Sequence, residues 1–188
     1  QSIKEELVFE MLPSVFPVRA STICWVNPIN RMVVVGAGAK RAAEVATALV
    51  QSFEGLSLTV LSGEQDPRSV MACWLSGEIN PDSLIIERSC ELQSLDESKA
   101  KVKYSNHNLD VDEVRDHIRA GMQPKSIAVT WGDRVSFTLQ SDLSIKGISF
   151  TDVHDIEDAT AFEADAYIAT TDINDMVLDL IREFSHEE

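Results

Sequence analysis

Between Ser21 and Phe53 the spacing of apolar residues changes character twice. Thr22 to Val26 is β-branched and aromatic, Asn27-Pro28-Ile29-Asn30 is turn chemistry, and Met32 to Val35 is a continuous apolar run of the kind that fills a sheet centre. From Lys40 onward, Ala42, Val45, Ala46, Leu49, Val50 and Phe53 recur at steps of three and one, a single apolar stripe along a helix. A strand-turn-strand-helix unit is expected here, its helix packing on its strands and nucleating the core.

On either side the same reading continues. Ile3, Leu7, Val8, Met11 and Leu12 fall on one helical face that Pro13 ends, and Phe16 follows in a short linker. Leu56, Leu58 and Val60 alternate as a strand after the C-cap residue Gly55, and Pro67 to Gly77 reads as a helix burying Val70, Met71, Trp74 and Leu75. Two extended stretches, Leu84 to Leu92 and Ala100 to Tyr104, precede a helix with Asp110 and Glu113 at capping-box spacing and Gly121 after its last turn. The next hairpin can be read to the residue. Trp131 opposite Val135 and Val129 opposite Phe137 put every large apolar side chain on one face, which requires the three-residue loop Gly132-Asp133-Arg134. Ile145 to Phe150 gives a further strand, Ala166 to Ala169 reads as a last one, and Ile173, Val177, Leu180, Ile181 and Phe184 form a closing amphipathic helix. The order αββαβα-ββαβββ-βα implies an α+β fold with largely antiparallel sheets and helices packed on one face. It divides into residues 1–79 and residues 80–188.

Charge narrows the functional classes. Formal net charge is −15 over 188 residues; the stretch from Asp152 to Glu188 holds twelve acids against the single base Arg182, leaving −4 for the rest. No strongly basic body announces a nucleic-acid partner, so any such site must be a local basic face. Cys24, Cys73 and Cys90 form no CxxC pair and read as reduced, buried thiols. The N-terminus is not a signal peptide and no apolar run approaches a membrane span, which points to the cytoplasm. Asp110, Asp112 and Glu113, or Asp152, Asp155, Glu157 and Asp158, are oxygen donors of the type a divalent metal takes. Capping and a solvated acidic loop explain them better, and His107, His117, His154 and His186 lack ligand spacing. Neither a metal nor a cofactor is expected.

Two basic features remain. Gly36-Ala37-Gly38-Ala39-Lys40-Arg41 joins a strand to a helix, where it is either a plain reversing turn or a phosphate clamp; it lacks the P-loop and dinucleotide patterns. Lys99, Lys101 and Lys103 alternate on one face of a strand, either as a basic stripe or as a solvated edge that discourages aggregation. Arg134 and Lys146 complete the set of candidate phosphate contacts.

The segment WVNPINRMVVVGAGAKRAAEVATALVQSFEGLSLTVL resembles the matching region of the RdgC family of bacterial recombination-associated DNA-binding proteins. IKEELVFEMLPSVF upstream, and CWLSGE, IRAGMQPKSIAVTWGDRVSFTL, SIKGISF and FEADAYIATTDINDMVLDLI downstream, are similar to the family in order and spacing. By this resemblance the chain is the C-terminal portion of such a protein, without the family's N-terminal segment. The resemblance implies a homodimeric ring around double- or single-stranded DNA, sequence-independent, non-catalytic, associated with the nucleoid and antagonistic to RecA. It also implies that Phe16 lies where the dimer closes and that Lys146 occupies a basic position. Ser105, Asn106, His107, Gly147 and Ser149 stand where relatives are often basic. The alternatives are an acidic protein-interaction module and a metal-dependent nuclease.

Overall fold

Every described strand pairs antiparallel with its neighbour, and helices are interspersed in an α+β arrangement. The computed structural model describes residues 2–11, 16, 19–151 and 159–185. They form two compact units, Gln1–Thr59 and Val60–Glu188.

The first unit contains helix α1 (Ser2–Met11), strands β1 (Cys24–Asn27) and β2 (Met32–Val35), and helix α2 (Ala39–Ser52). Asn27 pairs with Met32, and the Asn27 Oδ1 accepts from the backbone N–H of Ile29 at 3.0 Å, closing the turn expected from Asn-Pro. Contrary to expectation, this unit is not the nucleus of the core. No residue of α2 is buried, and every buried apolar residue among those described lies at Val70 or beyond. One two-stranded ribbon has too little surface to enclose a helix stripe. The segment 56–60, with its alternating pattern, is not a strand either; no described strand offers it a ladder, and Val60 is exposed.

The second unit is a five-stranded sheet covered on one face by three helices. Its strands are β3 (Leu84–Ser94), β4 (Lys101–Tyr104), β5 (Met122–Trp131), β6 (Val135–Gln140) and β7 (Ile145–Phe150), in the spatial order β4-β3-β5-β6-β7. Helix α3 (Pro67–Ser76) starts at the cap Asp66 and stops at Gly77, whose φ of 77° suits glycine. Helix α4 (Asp112–Arg119) begins after Val111, not Asp110. The Asp110 carboxylate is drawn instead to Arg115, so the capping box does not form. Trp131 faces Val135 and Val129 faces Phe137, so the three-residue loop is confirmed, with Gly132 and Asp133 both at positive φ. Ile127, Val129, Trp131, Val135, Phe137 and Leu139 are all buried on this face.

Helix α5 (Ala159–Glu183) closes the core with Met176, Val177, Leu180 and, just beyond its end, Phe184. It includes residues 166–169, which the short apolar run suggests to be a strand. Four residues without a full period do not distinguish the two forms. The β-branched Thr170 and Thr171 are accommodated because their hydroxyls donate to the Ala166 and Tyr167 carbonyls, at 2.7 and 2.8 Å. Beyond α5, the Phe184 carbonyl accepts from the N–H groups of Glu64 and Gln65 at 3.0 and 3.1 Å. A Cβ at Gly63 would lie 2.6 Å from the Phe184 Cβ, so this crossing admits only glycine.

Candidate nucleic-acid interface

The face of the sheet opposite these helices is polar. Alternation along β6 sends Ser136, Thr138 and Gln140 there, and cross-strand pairing adds Thr130, Ala128, Ser126 and, on β7, Lys146. At the other edge, Lys101 and Lys103 are exposed on β4 opposite Gln93 and Glu91 of β3. Four strand spacings separate β4 from β7, so lysines stand at both margins of a surface about 19 Å across. Lys99 is not on this stripe. It sits in the loop before β4 at φ 47°, its N–H turned to the Asp96 carbonyl.

The central cation of the face is one the sequence pattern conceals. Parity with Ile127 and Val129 would turn Lys125 toward the core. Instead the β3–β5 register shifts between Glu91 and Leu92, where Glu91 pairs with Ser126 and Leu92 with Pro124, leaving Lys125 as the extra residue of a bulge. Its ammonium reaches Glu91 Oε1 at 2.9 Å, and Lys101 reaches the same oxygen from β4 at 3.4 Å. Three adjacent strands therefore converge on one carboxylate. Hydrogen bonding from Lys125, assisted by Lys101, holds the Glu91 carboxyl below its usual range, and Glu91 raises Lys125 in return. Pro124 was the available signal, because proline inside a sheet is confined to edges and bulges. Further along the face, the Thr130 hydroxyl donates to Glu87 Oε1 at 2.7 Å and lies 2.9 Å from the Ser136 hydroxyl, while Lys146 donates to Gln140 at 3.3 Å.

The other candidates are placed elsewhere. Arg134 belongs to the helix side: its Nη1 is 2.8 Å from Asp172 of α5, and its guanidinium lies 4.7 Å from the Trp131 ring centroid. Lys40 and Arg41 are in the first unit, in the opening turn of α2. Arg41 is engaged by Thr22 at 3.2 Å and Glu44 at 3.1 Å, and the Gly36 and Ala37 N–H groups are bonded to the Ile23 and Val35 carbonyls. Phe16 is 92% exposed. Ile23, Ile29 and Phe53 of the same unit are also exposed.

The acidic candidates are not assembled as a metal site. Asp110 and Asp112 both contact Arg115, whose Nε donates to the Ser76 carbonyl at 3.2 Å, so the cluster joins α4 to α3. Glu113 accepts from the Tyr104 hydroxyl at 3.3 Å. Among the described residues no three His, Cys, Asp or Glu side chains are grouped to hold a metal. Asp152, Asp155, Glu157, Asp158, His154 and His186 lie outside the described residues. His107 and His117 flank the Tyr104 ring at centroid distances of 5.4 and 6.3 Å. Cys90 is buried, and Cys24 and Cys73 are partly so, all three as free thiols. No described helix is long and apolar enough to cross a membrane.

A family model described as "Putative exonuclease, RdgC" matches residues 1–187. The recombination-associated protein RdgC of Janthinobacterium sp. (strain Marseille) is 36% identical, with 96% of this chain and 63% of the relative covered. Those of Herminiimonas arsenicoxydans and Bordetella pertussis (strain Tohama I) are each 33% identical, with 100% of this chain and 65% and 66% of the relatives covered. The chain thus spans a little under two thirds of the length of these relatives.

Proposed function

The chain belongs to the RdgC family, and on that premise we propose that it acts in recombination as a non-catalytic protein that holds double- or single-stranded DNA without reading its sequence. One observation carries this reading: Lys101, Lys103, Lys125 and Lys146 are displayed on the face of the sheet opposite α3, α4 and α5, although the chain as a whole is strongly acidic. The acids of α5 belong to the opposite layer, so the two faces of this unit differ in sign and phosphate meets the favourable one. Lysines and hydroxyls on a strand face fit a backbone and offer no rigid fork for a base edge, which accounts for binding without sequence preference.

In the same reading the protein is a nucleoid-associated, cytoplasmic homodimer that closes into a ring, with Phe16 at the closing contact and Lys40 and Arg41 adding phosphate contacts from the first unit. The exposed apolar residues of that unit support a second copy as the covering partner. Occupancy of DNA by such a ring limits the access of RecA. The test is affinity for duplex and single strands measured against salt. The four lysines of one sheet contribute about −3.6 to the slope of log affinity on log salt, near −0.9 for each contact on duplex, and any further contacts steepen it. Equal affinity for unrelated duplexes is expected, and affinity that does not respond to salt overturns the reading.

The family description as an exonuclease favours one alternative, a metal-dependent nuclease. The engagement of Asp110 and Asp112 by Arg115 argues for the binding role. DNA cleavage that magnesium supports, EDTA stops and Asp112→Asn or Asp155→Asn abolishes would decide for the nuclease.

A further inference from the structure

The lysine face contains its own anion. Glu91 Oε1 stands between the ammonium groups of Lys125 and Lys101, at 2.9 and 3.4 Å, and Lys103 is opposite Glu91 on the neighbouring strand. The bulge at Lys125 makes this arrangement possible, since a regular ladder would aim that side chain at the core. Only 23% of the Glu91 side chain is exposed, so the carboxylate sits down among the lysine stems. A carboxylate and a phosphate present similar oxygens to an ammonium, and one ammonium pair cannot fully serve both.

We propose that Glu91 is an internal competitor for the nucleic-acid backbone, its carboxylate occupying the place between Lys101 and Lys125 that a backbone phosphate takes in the complex. The inference rests on the DNA-binding reading and adds to it a residue that sets affinity. In the free protein Glu91 neutralises part of the lysine cluster and keeps Lys125 extended toward the open face. On binding, the phosphate displaces the carboxylate, which turns out toward solvent. Full contact therefore carries the cost of breaking two ion pairs, and the complex remains weak enough to dissociate and move along DNA. Other polyanions compete by the same exchange.

The test uses the 188-residue chain, a fluorescent duplex of arbitrary sequence and a series of salt concentrations. Glu91→Gln removes the competing charge, keeps the side-chain volume and frees two lysines. It is expected to tighten binding about tenfold at low salt and to steepen the salt slope by about one unit, one further counterion exchanged. Glu163→Gln on α5 makes the same change in net charge from the opposite layer and serves as the comparison. Adding Lys125→Gln to Glu91→Gln should return affinity to the wild-type value or below. Thermal melting monitors folding, and Glu91→Thr replaces Glu91→Gln if the latter melts early. If wild type binds but Glu91→Gln binds no tighter, or Glu163→Gln tightens binding equally, the competitor role is overturned while the DNA-binding reading stands. If neither wild type nor Glu91→Gln binds at the lowest salt, both fail together.

Discussion

Arg134 and Asp172 are joined across the core, Nη1 to Oδ1 at 2.8 Å, linking the β5–β6 loop to the middle of α5. The two ends of the pair differ in environment: the Asp172 side chain is 5% exposed and that of Arg134 is 46% exposed. Removing the arginine leaves a buried carboxylate with its charge uncompensated, which is far costlier than losing a surface pair. Arg134→Ala is expected to destabilise the second unit by about 2–4 kcal/mol, and Arg134→Met with Asp172→Leu to recover most of that. Urea titration of the two variants checks it; a single variant as stable as wild type would show the pair to be dispensable.

Phe137 is buried opposite Val129, which is itself fully buried. Truncation to Ala leaves a cavity between the sheet and its helices and should cost about 3–5 kcal/mol. A loss below about 1 kcal/mol would mean that the neighbouring side chains collapse into the space.

Lys101 and Lys103 are expected to act together. Changing both to Glu converts one margin of the polar face from attraction to repulsion, and binding to duplex should fall below detection at physiological salt. Lys125→Ala should reduce affinity by a smaller factor, since Glu91 already neutralises part of its charge. Arg134→Gln should leave the salt slope of DNA binding unchanged, as its guanidinium serves Asp172 on the other side of the sheet. A slope shallower by about one unit in that variant would return Arg134 to the interface.

Burial pushes the Cys90 thiol from its ordinary 9.0 up to about 11. Between these values the unfolded chain releases the proton and the native chain keeps it, so the native state binds more protons and stability falls as pH rises. Below pH 9 the contribution is complete. Melting temperature should decline across this window more steeply in wild type than in Cys90→Ala, and Cys90 should resist thiol reagents until the protein unfolds. Equal slopes in the two proteins would overturn the assignment.

Much of the second unit could be read from the chain because its elements carry their own periods. The β5–β6 register followed from apolar parity alone, and Pro67 and Gly77 bracket α3 at both ends. What stayed hidden depends on partners distant in sequence. Nothing near Arg134 announces an aspartate on α5, and nothing in residues 166–169 by themselves announces that they lie within a helix of 25 residues. Lys125 was hidden for a third reason. A single inserted residue reverses the parity on which face assignment rests, and only Pro124 betrays it.

The placement of α5 bears on how the protein is made. The sheet is complete at Phe150, yet part of its apolar face is covered by Met176, Val177, Leu180 and Phe184, and this segment is tied back to Arg134 from the middle of α5 and to residues 64–65 just beyond its end. During synthesis at about 5–20 residues per second, the finished sheet therefore waits a few seconds with its core open before the helix that seals it leaves the ribosome. The hazard of this protein is concentrated in that interval. A chain halted between Phe150 and Met176 would have α3 and α4 on the sheet but would leave the apolar area that α5 covers open to chaperones and to other nascent copies.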